Sequence, residues 1–93
     1  MRKTGAAALA KALNLPKARS MEAIVKAELI SALIAETERR QLTHSQLATT
    51  AGLARSTVTG ILSGSLQKVT IDRILRLIDA AGLEAHVKVR RAA

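Results

Sequence analysis

The 93-residue sequence contains no cysteine and no phenylalanine, tyrosine or tryptophan. The absence of cysteine excludes a disulfide framework, a thiolate nucleophile and a cysteine-ligated zinc site. The absence of aromatic residues argues against sheet-platform RNA binders and single-strand binders, because those proteins usually stack bases on aromatic rings. The two histidines, His44 and His86, are too far apart in sequence to form a local metal pair. We therefore expect no metal, no cofactor and no enzymatic activity.

Acidic residues are also scarce, since seven Asp and Glu stand against 15 Lys and Arg, for a formal net charge of +8. This charge favours a polyanionic partner, and without aromatic residues double-stranded DNA is the preferred one. No apolar run approaches the roughly 18 residues of a membrane span, so we expect a soluble, cytoplasmic protein. Residues 1–19 hold no acid and five basic residues, namely Arg2, Lys3, Lys11, Lys17 and Arg19.

Hydrophobic periodicity, capping residues and helix breakers predict an all-α core. Apolar residues recur with helical spacing between residues 20 and 40, which marks the longest helix. Thr43 and Gln46 form a capping-box pattern, and Gly52 breaks the helix that follows. Within the basic residues 1–19, the Ala-rich stretch 6–13 predicts a short helix, and a disordered terminus is the alternative. The predicted helices are this short one over 6–13 and four more over 20–40, 46–51, 54–63 and 71–82.

The C-terminal residues change to a period of two, with Leu83, Ala85, Val87 and Val89 alternating with polar residues. This alternation predicts a β-strand with one apolar face. A single strand cannot satisfy its own backbone hydrogen-bonding groups, so we expect it to pair with a second copy in a two-fold homodimer. The alternatives are a strand packed on its own helices and a frayed tail.

Two of the predicted helices form a helix-turn-helix arrangement, because 46–51 and 54–63 are joined by a short turn that contains Gly52. In this arrangement the second helix enters the major groove of DNA. Five apolar residues occupy the positions that must face inward where the helices cross, namely Leu47, Ala48, Leu53, Val58 and Ile61.

A resemblance to the Cro/phage-repressor (XRE) helix-turn-helix family is carried by two stretches, LTHSQLA at 42–48 and GLARSTVTGILSG at 52–64. The stretch TIDRILRL at 70–77 resembles the closing helix of that family. More narrowly, LNLPKA at 13–18 and the terminal strand resemble the HigA-like antitoxin branch.

The resemblance implies a lambda-repressor-like helix-turn-helix bundle of about five helices with a C-terminal β-strand that pairs across a dimer. The chain then divides into three parts. Residues 1–19 form a basic N-terminal arm with a short helix, residues 20–82 form the DNA-binding domain, and residues 83–93 form the dimerisation strand and tail.

The resemblance also implies roles for single residues. Gln46 matches a family position that touches phosphate and braces the reading helix. Arg55, Ser56 and Thr59 match outward positions of the recognition helix, and the Arg55 guanidinium can make a bidentate contact with guanine. The alternative roles are helix capping for Ser56 and simple solvent exposure for Arg55.

Other matched positions suit contacts with the DNA backbone. Thr43 and Thr57 carry hydroxyls fit for phosphate, although capping alone is the alternative for Thr43. Ser65 and Lys68 lie in a loop that meets the DNA backbone in the family. Gly60 departs from the long polar residue common in the family and would allow close approach to a thymine methyl. The predicted DNA-binding residues are therefore Thr43, Gln46, Arg55, Ser56, Thr57, Thr59, Gly60, Ser65 and Lys68.

The leading functional prediction is a sequence-specific repressor that binds an inverted-repeat operator as a dimer. The HigA-like features imply the antitoxin of a HigBA-like toxin-antitoxin module, which neutralises a small ribonuclease toxin and represses its own operon. A stand-alone XRE-family regulator without a toxin partner is the main alternative. A third possibility is a non-specific nucleic-acid or anionic-membrane binder driven by the basic arm.

Overall fold

The computed structural model describes residues 17–64 and 69–92. Over these residues the chain forms helices and no β-strand, which confirms the prediction of a helical bundle. The predicted short helix over 6–13 lies outside the described residues. The four helices are α1 (Lys17–Arg40), α2 (His44–Ala51), α3 (Arg55–Leu62) and α4 (Ile71–Ala80).

Helix α1 begins at Lys17, directly after Pro16 and three residues before the predicted start. Proline disfavours helix in the residue before it but not in the residues after it, so it precedes a helix readily. Lys17 and Arg19 therefore lie on α1, and the predicted helix start at residue 20 is wrong, whereas the division of the chain into arm and domain stays a prediction. None of the helices in the described ranges has both the length and the apolar content needed to cross a membrane.

The core is formed where α1 packs against α3 and α4, and where α2 packs against the same two helices. Apolar residues spaced three or four apart place one stripe of each helix inward, and burying these side chains supplies the main driving force for folding. The first half of α1 contributes little to this core and is mostly exposed. The buried apolar residues are Ile30, Leu33, Leu47, Ala48, Val58, Ile61, Ile74, Leu77, Ile78 and Ala81.

Helices α1, α2 and α4 end in the same way, with a residue of positive φ after the last turn. These residues are Gln41 at 53°, Gly52 at 70° and Gly82 at 78°. The positive φ turns the chain back, so that the amide of the next residue donates to a carbonyl five residues earlier. These hydrogen bonds measure 3.0 Å for Leu42, 3.0 Å for Leu53 and 2.9 Å for Leu83.

Residues 83–92 form neither helix nor strand in the described chain, so the predicted C-terminal β-strand is not seen. A strand needs a neighbouring strand to exchange hydrogen bonds with, and the described part of this chain provides none. Leu83 packs against the core, whereas Ala85 is exposed and Val87 and Val89 are 80% and 91% exposed. Pairing across a dimer therefore stays a prediction.

Candidate nucleic-acid interface

Helices α2 and α3 are joined by a three-residue turn, Gly52 to Ala54, and pack closely against each other. Leu47 and Ala48 on α2 and Val58 on α3 are buried where they meet. The small side chain of Ala48 leaves room for the two backbones to approach. Together the helices form the helix-turn-helix arrangement predicted from the sequence.

The outer surface of α3 is polar. Arg55, Ser56 and Thr59 are exposed, whereas Thr57 and Gly60 are half-buried. A Cβ atom added at Gly60 would meet no other atom within 4 Å, so the surface there is open and shallow. The exposed part of α3 therefore offers a polar surface of low relief that faces away from the core.

The start of α3 leaves hydrogen-bond donors free for a ligand. Ala54 occupies the cap position and makes no side-chain hydrogen bond. Among the described residues, the Arg55 and Ser56 amides of the first turn have no backbone partner, whereas the Thr57 amide donates to the Ala54 carbonyl at 3.0 Å. Amides at the start of a helix also carry partial positive charge from the helix dipole. Among the described residues, the Arg55 guanidinium has no hydrogen bond or ion pair. This end of α3 is therefore suited to an anion such as a phosphate group.

The charged residues of the helix-turn-helix and its flanks are all basic. Residues 39–71, which include the whole helix-turn-helix, contain no Asp or Glu. The acidic residues lie on α1, α4 and the C-terminal segment, as Glu22, Glu28, Glu36, Glu38, Asp72, Asp79 and Glu84. A DNA phosphate near α2 and α3 would therefore meet no carboxylate from the helix-turn-helix itself.

The start of α2 is closed by a capping box between Thr43 and Gln46. The Gln46 amide donates to Thr43 Oγ1 at 3.0 Å, and the Thr43 amide donates to Gln46 Oε1 at 2.8 Å. The capping-box prediction is confirmed. The Gln46 Oε1 atom thus accepts a hydrogen bond within α2, and among the described residues the side chain makes no hydrogen bond to α3, so the bracing role that the resemblance implied stays a prediction.

A different residue links α2 to the exposed surface of α3. His44 Nδ1 lies 2.8 Å from Thr59 Oγ1, which is hydrogen-bonding distance. No pattern in the sequence predicted this contact, because the two residues are fifteen positions apart and lie on different helices. Two further predicted DNA-contacting residues, Ser65 and Lys68, lie outside the described residues.

The comparisons with known proteins agree with this geometry. A family model described as a helix-turn-helix domain matches residues 9–90. No curated protein matches the chain. No solved structure matches it either. The family match covers most of the sequence and supports the resemblance to XRE-like proteins, so this chain belongs to the helix-turn-helix domain family, which indicates a DNA-binding regulator.

Proposed function

We propose that this protein is a sequence-specific repressor that reads double-stranded DNA by placing α3 in the major groove. The observation that carries the proposal is the polar outer surface of α3. Buried Val58 and Ile61 hold the helix against the bundle, while Arg55 remains exposed and without a partner among the described residues. A rigid helix with a free guanidinium suits direct reading of base edges.

The proposal assigns different tasks to the polar residues. Arg55 makes a bidentate contact with guanine, because its guanidinium is the longest polar side chain on α3. Ser56 and Thr59 face the same groove. Thr43 and Thr57 contact the phosphates of the DNA backbone. The side-chain NH2 group of Gln46, which the capping box leaves unused, does so as well. Ser65 and Lys68 follow α3 in sequence and add phosphate contacts.

The repressor acts as a homodimer in this proposal. Val87 and Val89 are exposed apolar residues two positions apart, so a strand formed on pairing would carry both on one face, and antiparallel pairing with a second copy would cover them. Two-fold symmetry would then place the two α3 helices in successive major grooves, about one helical turn apart. The operator would be an inverted repeat.

Selection from a pool of randomised DNA duplexes tests the proposal directly. We expect enrichment of one inverted repeat with half-sites separated by about one helical turn. Band-shift titration of the enriched duplex should then show binding that survives competitor DNA. Failure to enrich any sequence would contradict specific reading.

The dimer has its own test in sedimentation velocity over a range of protein concentrations. We expect a monomer–dimer equilibrium that Val87→Asp shifts toward monomer, because it places a charge in the paired apolar face. Glu84→Asp, in the same segment, keeps the charge pattern and serves as the control. A monomer at all concentrations would contradict the dimer.

An antitoxin role is a second candidate, and the first half of α1 favours it. Met21 and Val25, one turn apart, are 55% and 38% exposed and could bind a protein partner. The resemblance of residues 13–18 to the HigA-like branch points the same way. In this role the protein would neutralise a small ribonuclease toxin and repress the shared operon.

Co-purification with the product of the adjacent gene tests the antitoxin role. We expect a complex that Met21→Asp disrupts while binding to the enriched duplex persists. Leu75→Asp is the matched control, because Leu75 is similarly exposed but lies on α4. Retained DNA binding without a complex would instead support a stand-alone regulator.

A further inference from the structure

Thr59 and Thr37 both lie inside helices, but their hydroxyl groups have different hydrogen-bond partners. A threonine inside a helix commonly donates its hydroxyl to the carbonyl four residues earlier, and Thr37 does so to Leu33 at 2.7 Å. The equivalent acceptor for Thr59 is the carbonyl of Arg55. Among the described residues, however, the hydroxyl of Thr59 bonds His44 Nδ1 at 2.8 Å and no other group.

This contact decides how Thr59 is oriented. Threonine has two accessible χ1 rotamers in a helix, because its hydroxyl can form or leave the bond to the preceding turn. A bond to a residue on another helix fixes the hydroxyl position. Because the hydroxyl and the methyl share one tetrahedral carbon, the direction of the methyl is fixed as well.

The contact also leaves Thr59 able to bind DNA. The hydroxyl donates to Nδ1 when that nitrogen carries no hydrogen, and it accepts from Nδ1 when it does. In both cases two of the three hydrogen-bonding positions of the hydroxyl remain free. Thr59 is exposed, and its neighbour Gly60 has no side chain to shield it from a base pair.

We propose that His44 is a positioning residue for base recognition, which determines the base preference opposite Thr59 by holding the hydroxyl of that residue toward α2. His44 itself need not touch the base. Without His44, Thr59 would return to the bond that Thr37 makes, and it would present different groups to the groove. This inference rests on the proposed DNA-reading function of α3.

The test compares duplex selection by the wild type and four variants: His44→Ala, His44→Asn, Thr59→Val and Ser45→Ala. An asparagine amide lies at about the same distance from the backbone as Nδ1, so His44→Asn should keep the wild-type preference. His44→Ala and Thr59→Val should each reduce the preference at the same base pairs by about three- to tenfold, the effect of one hydrogen bond. Ser45→Ala, an exposed neighbour on α2, is the control and should change nothing.

Two further measurements separate positioning from other roles. The double variant His44→Ala/Thr59→Val should equal either single variant, because both remove the same interaction. Three-bond coupling constants of the Thr59 side chain, measured by NMR without DNA, should show a changed rotamer in His44→Ala. This readout does not depend on DNA binding or on the operator.

Outcomes that contradict the positioning role of His44 can be distinguished from the one that contradicts the proposed function. If His44→Ala keeps the wild-type base preference, or weakens binding to all duplexes equally, the positioning role is overturned while the proposed function stands. An unchanged Thr59 rotamer in His44→Ala also overturns it. If the wild type enriches no sequence, the proposed function fails and this inference fails with it.

Discussion

Arg40, at the end of α1, donates a hydrogen bond of 2.7 Å from Nη1 to the carbonyl oxygen of Ala81, just beyond α4. Carbonyl groups at the end of a helix lack intrahelical partners, and the helix dipole favours a cation there. Gly82 leaves space for this contact, since a Cβ at that position would lie 3.2 Å from Arg40 Nη1. The bond ties the scaffold helix to the end of the helix that packs beneath α2.

Replacing Arg40 by alanine should therefore destabilise the fold. We expect Arg40→Ala to lower the free energy of unfolding by about 1–2 kcal/mol, because a charge-assisted bond and a carbonyl partner are lost. Urea denaturation measures the change. Arg39→Ala is the control, since Arg39 is more exposed and, among the described residues, pairs with Glu36 on its own helix, so its loss should destabilise the fold less than the loss of Arg40. Equal losses for the two variants would contradict the role of Arg40.

Arg55 is the residue on which sequence reading is expected to depend most. Arg55→Ala should weaken binding to the enriched duplex by about 1–3 kcal/mol and relax the preference at one base pair. Band-shift titration with matched and substituted duplexes measures both effects. Arg76→Ala, which removes an exposed arginine paired with Asp72 on α4, should leave the base preference unchanged. Loss of affinity without relaxed preference would make Arg55 a phosphate contact only.

Replacing Gly60 by alanine should change the stability of the fold and the affinity for DNA in opposite directions. Glycine inside a helix costs up to about 1 kcal/mol relative to alanine, and a methyl group at Gly60 would meet no atom of the protein. Gly60→Ala should therefore raise the free energy of unfolding while lowering affinity for DNA, because the methyl would stand between α3 and the groove. Thermal unfolding and band-shift titration on the same preparation measure the two effects. A stabilised variant with full affinity would show that close approach at Gly60 is not needed.

Stability should depend on pH through Glu36. Hydrogen bonds from Arg39, at 2.6 and 3.0 Å, lower the pKa of the Glu36 carboxyl from its ordinary value of 4.5, against the opposing effect of desolvation. Because the folded chain binds this proton less tightly than the unfolded chain, the stabilisation is complete above the ordinary value. It is lost as the pH falls through the lower folded-state pKa.

Urea denaturation between about pH 6 and pH 3 tests this dependence. The stability difference between wild type and Glu36→Gln should shrink as the pH falls. Glu38→Gln removes an exposed carboxylate that has no ion pair among the described residues, and it is the matched control. Parallel pH profiles for wild type and Glu36→Gln would contradict the prediction.

Local patterns predicted the parts of this fold that depend on local interactions. The capping box of Thr43 and the turn at Gly52 follow from backbone chemistry within a few residues, and both were predictable. The inward positions of Leu47 and Val58 were also predictable, because helical spacing sets them. Each of these features is decided by neighbours in sequence.

Features that depend on a distant partner were not predictable. The contact of His44 with Thr59 arises only when α2 and α3 cross, and no spacing rule reports it. The alternation over residues 83–90 predicts an amphipathic strand, but a strand forms only where a second strand is present to share hydrogen bonds with it.

The placement of negative charge away from residues 39–71 has a kinetic consequence. A duplex that diffuses toward the protein meets four basic residues in this segment, Arg39, Arg40, Arg55 and Lys68, and no carboxylate that offsets their attraction. This attraction acts before any contact forms. It makes association fast at low ionic strength and slower as added salt shortens the range of the field.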